Sequence, residues 1–544
     1  MKEKLKEALK AALTSVGLSA TDIPLEHPAE LKNGDYSTSV ALKYSKELKM
    51  APRALAEKIV AALGGIEGVT KTEIAGAGFI NFYLASSALS ESLQRAASED
   101  MWGSVSLNEG KKIMIEYTDP NPFKEFHIGH LMSNAVGESI SRLLQFSGSE
   151  VKRANYQGDV GPHVAKAIWG KKKFPEKSWG EAYVAGNTEY ETNKEGVDAI
   201  NKKVYEKSDT EINALYDEGK RASLEHFEEL YRVLGTKFDY YFFESATAPK
   251  GMEIVKAHPE VFEQSDGAVV YKGEKVGLHT RVFITSKGLP TYETKELGLA
   301  ELKTESWDFD TSITVTAQEQ SDYFTVVLAA MKEVLPELAA KIQHVSHGMM
   351  RFAEGKMSSR TGNVITGEAL LAELTEAAKV RAAESRAGDV EELAQAVAVA
   401  AIKYQVLKQQ SSKDIIFDRE RALSLEGDSG PYLQYAHARA QQIVEKAKEQ
   451  NVVATVDTNT EPDDLTRLLH RFPEIVEYAA SLREPHLLTN YLLEIAGAFN
   501  SWYAQVHILD GTPEAAHRVA VADAVRRTLK NGLWILGIPA PEKM

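Results

Sequence analysis

No cysteine occurs in the 544 residues of this chain. That excludes disulfides, a thiolate nucleophile and a cysteine-ligated zinc. No apolar run is long enough to span a membrane. The start, Met1 to Leu9, reads as an amphipathic helix and not as a secretion signal, so a cytoplasmic protein is expected. There is no internal repeat and no low-complexity tract. Positive charge is also scarce: 63 Lys and Arg stand against 78 Asp and Glu, a net charge of −15. This argues mildly against a nucleic-acid partner, because phosphate binding wants a basic surface. A large protein can still hold a local basic face. Candidate clusters are Lys202-Lys203, Lys220-Arg221, Arg439 with Lys446 and Lys448, and Arg526-Arg527 with Lys530. The length allows three or four domains with buried cores.

The most informative stretch runs from Asp119 to His130 (Asp-Pro-Asn-Pro-Phe-Lys-Glu-Phe-His-Ile-Gly-His). It follows a short apolar strand, Ile113 to Tyr117. It opens a helix, because Met132, Val136, Ile140 and Leu144 recur every four residues. His127 and His130, three apart, lie on one face of the first turn. Free N–H groups and the positive dipole end at a helix start favour phosphate. Gly129 has no side chain, so a base or ribose can approach the backbone. Strand, tight turn and phosphate-binding helix together form a nucleotide site of a doubly wound sheet.

A second polar, Gly-bracketed loop lies a domain's length downstream, Gly355 to Val364. Lys356, Ser358, Ser359 and Arg360 put two cations and two hydroxyls close together. Such a loop could neutralise a triphosphate as charge builds during transfer.

The chain reads as four segments. Residues 1 to about 95 alternate helix and short strands, and Ala97 to Gly110 is a polar linker. From 111 to 365 the strand–helix alternation predicts a parallel sheet. Within it, about 170 to 270 is polar and rich in Lys and Glu, and reads as an insertion. From 366 onward the pattern is helical, with a polar loop from Val452 to Asp464.

His-Ile-Gly-His resembles the first signature of class I aminoacyl-tRNA synthetases, a form that related nucleotidylyltransferases share. The 356–360 loop resembles the Lys-Met-Ser-Lys-Ser signature of the same class. It departs at Ser359 and Arg360. Arginyl-tRNA synthetases often lack the second lysine of that loop and carry one just before the first histidine, where this chain has Lys124. The resemblance to that family then extends over most of the chain. It rests on Asn33 to Thr38, Gly76 to Phe82, Asn155 to Asp159, Pro431 to Arg439 and the ending Leu536 to Met544. Nothing in about 170–270 is placed as firmly.

The resemblance implies an α/β protein with a Rossmann-like parallel-sheet catalytic domain. An N-terminal α+β appended domain (1–100) would precede it. A helical connector (366–415) and an all-helical anticodon-binding domain (416–544) would follow. It implies a ligase that joins L-arginine to its tRNA with ATP, with Mg²⁺ accompanying ATP, no zinc and no editing domain. A monomer is expected. His127, His130, Lys124 and Lys356 would be catalytic, and Gly129, Met357, Ser358 and Ser359 would contact ATP. The arginine-binding positions are Glu116, Asn121, Tyr292, Glu296 and Gln320. The family usually has aspartate where this chain has Glu296, so the carboxylate sits a methylene further out. Phe79 and Asn81, two apart in a strand, would meet the tRNA elbow. Tyr432, Tyr435, Arg439 and Met544 would meet the anticodon loop. Two other readings compete: a class I synthetase for another amino acid, and a tRNA-binding protein without catalysis.

Overall fold

The structure, a computed structural model, describes residues 1–352, 366–383 and 389–544. The chain forms two compact units. One contains Met1–Gly103, Ala436–Ile475 and Leu492–Asn531; the other contains Ser104–Tyr435, Val476–Tyr491 and Gly532–Met544.

In the first unit the Lys2–Ser15 helix buries Leu5, Leu9, Ala12 and Leu13, the apolar stripe of an amphipathic helix. Beside it lies an antiparallel sheet of β1 (Tyr36–Thr38), β2 (Val69–Ala75) and β3 (Phe79–Leu84), in the order β1-β3-β2. Tyr36 and Phe82 are fully buried in this core. Asp35 ties the sheet to the C-terminal helices. Its Oδ2 accepts from the Leu84 amide (2.8 Å), and its Oδ1 accepts from Arg467 Nε (2.8 Å). Tyr36 Oη donates to Glu474 at 2.5 Å. The N-terminal module therefore shares its packing with helices far away in sequence.

In the second unit five strands form a parallel sheet in the order β11-β10-β4-β5-β6. They are β4 (Lys112–Glu116), β5 (Glu150–Gln157), β6 (Tyr240–Phe243), β10 (Thr311–Ala317) and β11 (Ile342–His347). Between β6 and β10 lies a small antiparallel sheet of β7 (Phe262–Ser265), β8 (Ala268–Tyr271) and β9 (Arg281–Ile284). The chain leaves β4 towards β5 on one side and later returns to place β10 on the other. The strand order reverses there, so a crevice opens at the carboxyl ends of β4 and β10.

The stretch read as an insertion is only partly one. Its helices Trp179–Thr188, Lys194–Glu206 and Thr210–Leu234 do fill the β5–β6 crossover, but β6 is an edge strand of the sheet itself. A four-residue strand amid Lys- and Glu-rich helices has too little periodicity to show.

The Ile128–Phe146 helix runs behind the sheet, and Met132, Val136, Ile140 and Leu144 are all buried. Glu138 on this helix is buried too and is held by Arg142 (2.6 Å), Arg153 (3.3 Å) and the Tyr117 hydroxyl. Burial alone would raise its pKa, but the two guanidiniums keep it below the usual carboxylate range. Close by, the buried Lys403 amine donates to Leu234 O (2.7 Å) and Gly537 O (2.8 Å), and burial draws its pKa down to about 7. Removing one member of a buried charge network strands the others. Glu138→Ala is thus expected to cost about 3–5 kcal/mol and to lower the melting temperature by several degrees. Unchanged thermal denaturation would show the network to be energetically neutral.

Candidate active site

The crevice is built on a strained loop. Thr118, Asp119 and Phe123 all have positive φ (78°, 47° and 71°). A β-branched residue in that region is a genuine outlier, and such strain persists only where the surroundings hold it. Here they do. The Thr118 amide donates to Ser133 Oγ (2.9 Å), and Asn134 Nδ2 donates to Thr118 Oγ1 (3.1 Å). The Tyr156 amide donates to Asp119 Oδ1 (2.7 Å), and the Gly158 amide donates to Asn121 Oδ1 (2.9 Å). A Cβ on Gly158 would lie 2.5 Å from that same Asn121 oxygen, so glycine is required at this approach.

The loop delivers the two histidines to the helix start. Their rings stack with centroids 3.5 Å apart and planes 21° apart. His130 Nδ1 accepts from the His127 amide at 3.1 Å, a capping box made by histidine. His130 is buried, and burial followed by His127 and Lys124 holds its pKa well below the usual value. His127 is open to solvent and is shifted down less, by partial desolvation and then by Lys124. Near neutral pH His130, and with it the pair, offers neutral N–H groups to an anion. Gly129 has a reason the sequence did not show. A Cβ there would meet the His127 ring at 2.9 Å, so the glycine makes room for the histidine itself. Lys124 is partly buried with its ammonium 5.4 Å from the Tyr183 ring centroid; burial lowers its pKa while Glu244 opposes.

Carboxylates line the other side. Glu116, at the end of β4, is 1% exposed. Lys303 Nζ stands 2.6 Å from its Oε2, a charge contact too poorly aligned to count as a hydrogen bond. Glu296 lies in the second turn of the Tyr292–Ser306 helix, on the same face as Lys303 two turns on. Burial, then Glu116, pushes its pKa up to about 8. Tyr292 is the first residue of that helix and is 58% exposed, with its ring 5.1 Å from Lys295 Nζ. Gln320 is exposed in the single turn that follows β10.

Several groups here were given no role from the sequence. They are Asp119, Lys303, Lys295 with its partner Glu244 (2.5 Å), and the enclosed Tyr323 hydroxyl, which has no partner among the described residues. Asp159 is fully buried and receives Ser245 Oγ (2.6 Å), Lys220 Nζ (2.7 Å) and Tyr216 Oη (2.9 Å). It therefore pins the inserted helices to the helix after β6. Lys356, Met357, Ser358 and Ser359 lie outside the described residues. The chain resumes at Thr366, which bridges to His127, and the Gly367 amide donates to Phe126 O (2.7 Å).

A match to the class I tRNA synthetase (R) catalytic-domain model covers residues 92–419. The chain belongs to the arginyl-tRNA synthetase family. The arginyl-tRNA synthetase N-terminal domain model matches residues 1–84, and the DALR anticodon-binding domain model matches 433–544. The arginine–tRNA ligase of Clostridium perfringens is 30% identical, with 100% of this chain and 99% of that protein covered. That of Treponema denticola is 31% identical over 96% of this chain and 95% of its own length. The Thermus thermophilus arginyl-tRNA synthetase structure superposes with a TM-score of 0.84 at 27% identity, with 100% of both chains covered.

The positions expected to touch tRNA separate clearly. Phe79 is 39% exposed, whereas Asn81 is 4% exposed and accepts a hydrogen bond from Ser37 Oγ (2.7 Å). This corrects the expectation that both residues present one surface. The register explains it: β1 covers β3 from Ile80 to Phe82 and stops short of Phe79. On the Gly430–Glu449 helix Tyr432, Tyr435 and Arg439 are half-buried, while Leu433, Gln434, Ala436 and His437 between them are buried. Arg439 sits 4.8 Å from the Tyr503 ring and donates to Asn500 Oδ1 (2.8 Å). With Lys446, Gln450 and His507 it lines a cavity of about 360 Å³. Met544 is partly exposed. Other expected basic clusters are largely neutralised. Lys203 faces Asp209 (2.8 Å), Arg221 faces Glu225 (3.2 Å), and Arg526 and Arg527 face Asp523 (2.5 and 3.5 Å).

Among the described residues no group of three or more His, Asp or Glu could hold a metal ion, and no helix is long and apolar enough to cross a membrane.

Proposed function

We propose that this chain activates L-arginine with ATP and transfers it to the 3′ end of its tRNA. The observation that carries the reading is a stacked histidine pair at a helix start, delivered by the strained loop that leaves the buried Glu116 at the end of β4. One half suits a nucleotide's phosphates, the other a cationic amino acid. The arginine carboxylate attacks the α-phosphorus in line, and the α–β phosphate bond breaks to give arginyl-adenylate and pyrophosphate. The tRNA's terminal ribose hydroxyl then attacks the acyl carbon and AMP leaves. Neither step needs a covalent enzyme intermediate, so catalysis is positioning and charge stabilisation. His127 and His130 donate to the α-phosphate as charge develops, and Gly129 lets the nucleotide approach. Lys124 and, from the family resemblance, Lys356 neutralise the outer phosphates, with Met357, Ser358 and Ser359 beside them. Magnesium accompanies the ATP phosphates, and no protein ligand is assigned to it.

Glu116, Asn121, Tyr292, Glu296 and Gln320 line the arginine. A pocket built for a guanidinium rejects neutral isosteres strongly, which removes the need for editing. Aminoacylation of bulk tRNA with labelled arginine tests the reading. Charging with a different amino acid from a panel, or ATP binding without charging, defeats it.

The half-buried side of the Gly430–Glu449 helix is proposed to meet the anticodon loop through Tyr432, Tyr435 and Arg439; from the family resemblance, Met544 is assigned to that loop too, and Phe79 to stacking at the tRNA elbow. Base stacking is worth about 1–3 kcal/mol. Tyr435→Ala is therefore expected to raise the KM for tRNA roughly five- to a hundredfold at fixed salt, with the KM values for arginine and ATP unchanged. A variant that melts early yet charges tRNA normally below its transition would make Tyr435 a packing residue instead.

A further inference from the structure

In the 33–38 stretch Asp35 and Tyr36 both direct side-chain oxygens out of the N-terminal module. They reach Arg467 and Glu474, 432 and 438 residues downstream. Glu474 is the hub. Its Oε1 accepts from Tyr36 Oη (2.5 Å), and His27 Nε2 stands 3.1 Å from its Oε2. The other ring nitrogen of His27, Nδ1, lies 2.7 Å from Asp35 O. His470 continues the chain, with Nε2 3.2 Å from Tyr36 Oη and Nδ1 2.8 Å from Ser92 Oγ. A second limb runs through Arg467, which donates to Asp35 Oδ1 (2.8 Å) and to Leu31 O (2.7 Å). Asp35 passes that contact on, because its Oδ2 accepts from the Leu84 amide at the end of β3. Burial would raise the Glu474 carboxyl, but His27 and the Tyr36 hydroxyl hold it below the usual range, so it stays an ionised acceptor. All of these residues belong to the first unit. Replacing buried charged pairs by apolar packing is often neutral for stability, so a set of directional contacts is suited to fixing an angle rather than to adding stability.

Two surfaces that need a fixed angle lie on the same unit. Phe79, 39% exposed, opens β3, the strand that Asp35 pins at its other end. Arg439 and Lys446 line the cavity of about 360 Å³ on the Gly430–Glu449 helix. We propose that the Tyr36–Glu474–His27 and Asp35–Arg467 contacts form a clasp that positions tRNA, holding Phe79 at a set distance from the Arg439 side so that one tRNA engages both. This rests on the reading of Phe79 and Arg439 as tRNA contacts. Two rigidly spaced contacts on one ligand make the second binding event intramolecular, and the gain depends on their geometry. Loosening the clasp leaves both surfaces intact and forfeits their spacing. The clasp residues are positioning residues: Tyr36 is fully buried and Asp35 is 4% exposed, so they act through Phe79.

Tyr36→Phe removes one hydroxyl and leaves the ring beside His27, whose centroid lies 4.6 Å away. In the full chain, at fixed salt, it should raise the KM for tRNA about five- to a hundredfold, the worth of one stacked base. The kcat and the KM values for arginine and ATP should stay within about twofold. Arg467→Ala cuts the other limb and carries the test if Tyr36→Phe does not fold. The deciding measurement is a double-mutant cycle with Phe79→Ala, because residues acting through one contact are not additive. In the Phe79→Ala background the clasp variants should change the KM for tRNA no further. A clasp variant with the wild-type KM for tRNA, while Phe79→Ala raises it, would overturn the proposal. So would an effect that multiplies with that of Phe79→Ala, or an equal loss in all three KM values, either of which makes the clasp a packing contact. If Phe79→Ala itself leaves the KM for tRNA unchanged, the elbow reading fails and the clasp has nothing to position.

Discussion

Glu296→Gln is expected to raise the KM for arginine at least about tenfold at pH 8 and above, with little change in the KM for ATP. A charge-assisted hydrogen bond contributes about 1.5–3 kcal/mol, and glutamine keeps the shape while removing the charge. The pH dependence follows from the environment of the carboxyl. Burial and Glu116, with smaller contributions from Glu244 and Glu293, push its pKa up to about 8 against the opposing Lys303. Below that pH the empty pocket holds a neutral acid, and a guanidinium must displace its proton. Arginine affinity should thus rise with pH, approaching tenfold per unit below about 8, and level off above it. The same shift makes the empty protein lose stability as pH rises from the ordinary carboxyl range through 8, because the folded state binds more protons there. Bound arginine should offset that loss. The variant should show a shallower pH profile. A KM for arginine that neither rises nor changes slope would make Glu296 a structural carboxylate.

Lys124→Ala is expected to lower kcat by about 10²–10³ while the KM for arginine stays within a few-fold. Removing one preformed electrostatic contact to a developing charge typically has that effect. Two observations motivate it. The second lysine of the downstream loop is replaced by Ser359. Lys124 lies 5.4 Å from the Tyr183 ring centroid, directly after Phe123 with its positive φ and three residues ahead of His127. Lys124→Arg should recover part of the rate, since charge is what the phosphates need, although a planar fork replaces a point donor. Near-normal turnover in the alanine variant would assign the compensation elsewhere.

Much of this protein could be read from local pattern. The four-residue period of Met132, Val136, Ile140 and Leu144 specifies a buried helix because a helix must bury an apolar face. A short strand before it and His127 and His130 at its start mark the proposed nucleotide site. The parallel sheet followed from strand–helix alternation, and the half-buried side of the Gly430–Glu449 helix from spacings of three and four. Other features were invisible at that level. Asn81 shares a strand face with Phe79 but is buried, because only the register of β1 decides which residues of β3 are covered. The strand β6 is too short to stand out from the helices around it. The glycine at 129 is required by a folded-back histidine ring. Above all, charge alone cannot show which carboxylate is spoken for. Glu116 and Glu296 look alike in sequence, yet Lys303 stands 2.6 Å from one, while among the described residues no cation lies within ion-pair distance of the other. Local periodicity determined the elements, and motif resemblance pointed to the family and to a candidate nucleotide site. Only tertiary structure decided which ions pair, because burial and pairing across long stretches of chain set the energy of a charge, and neither is a property of neighbouring residues.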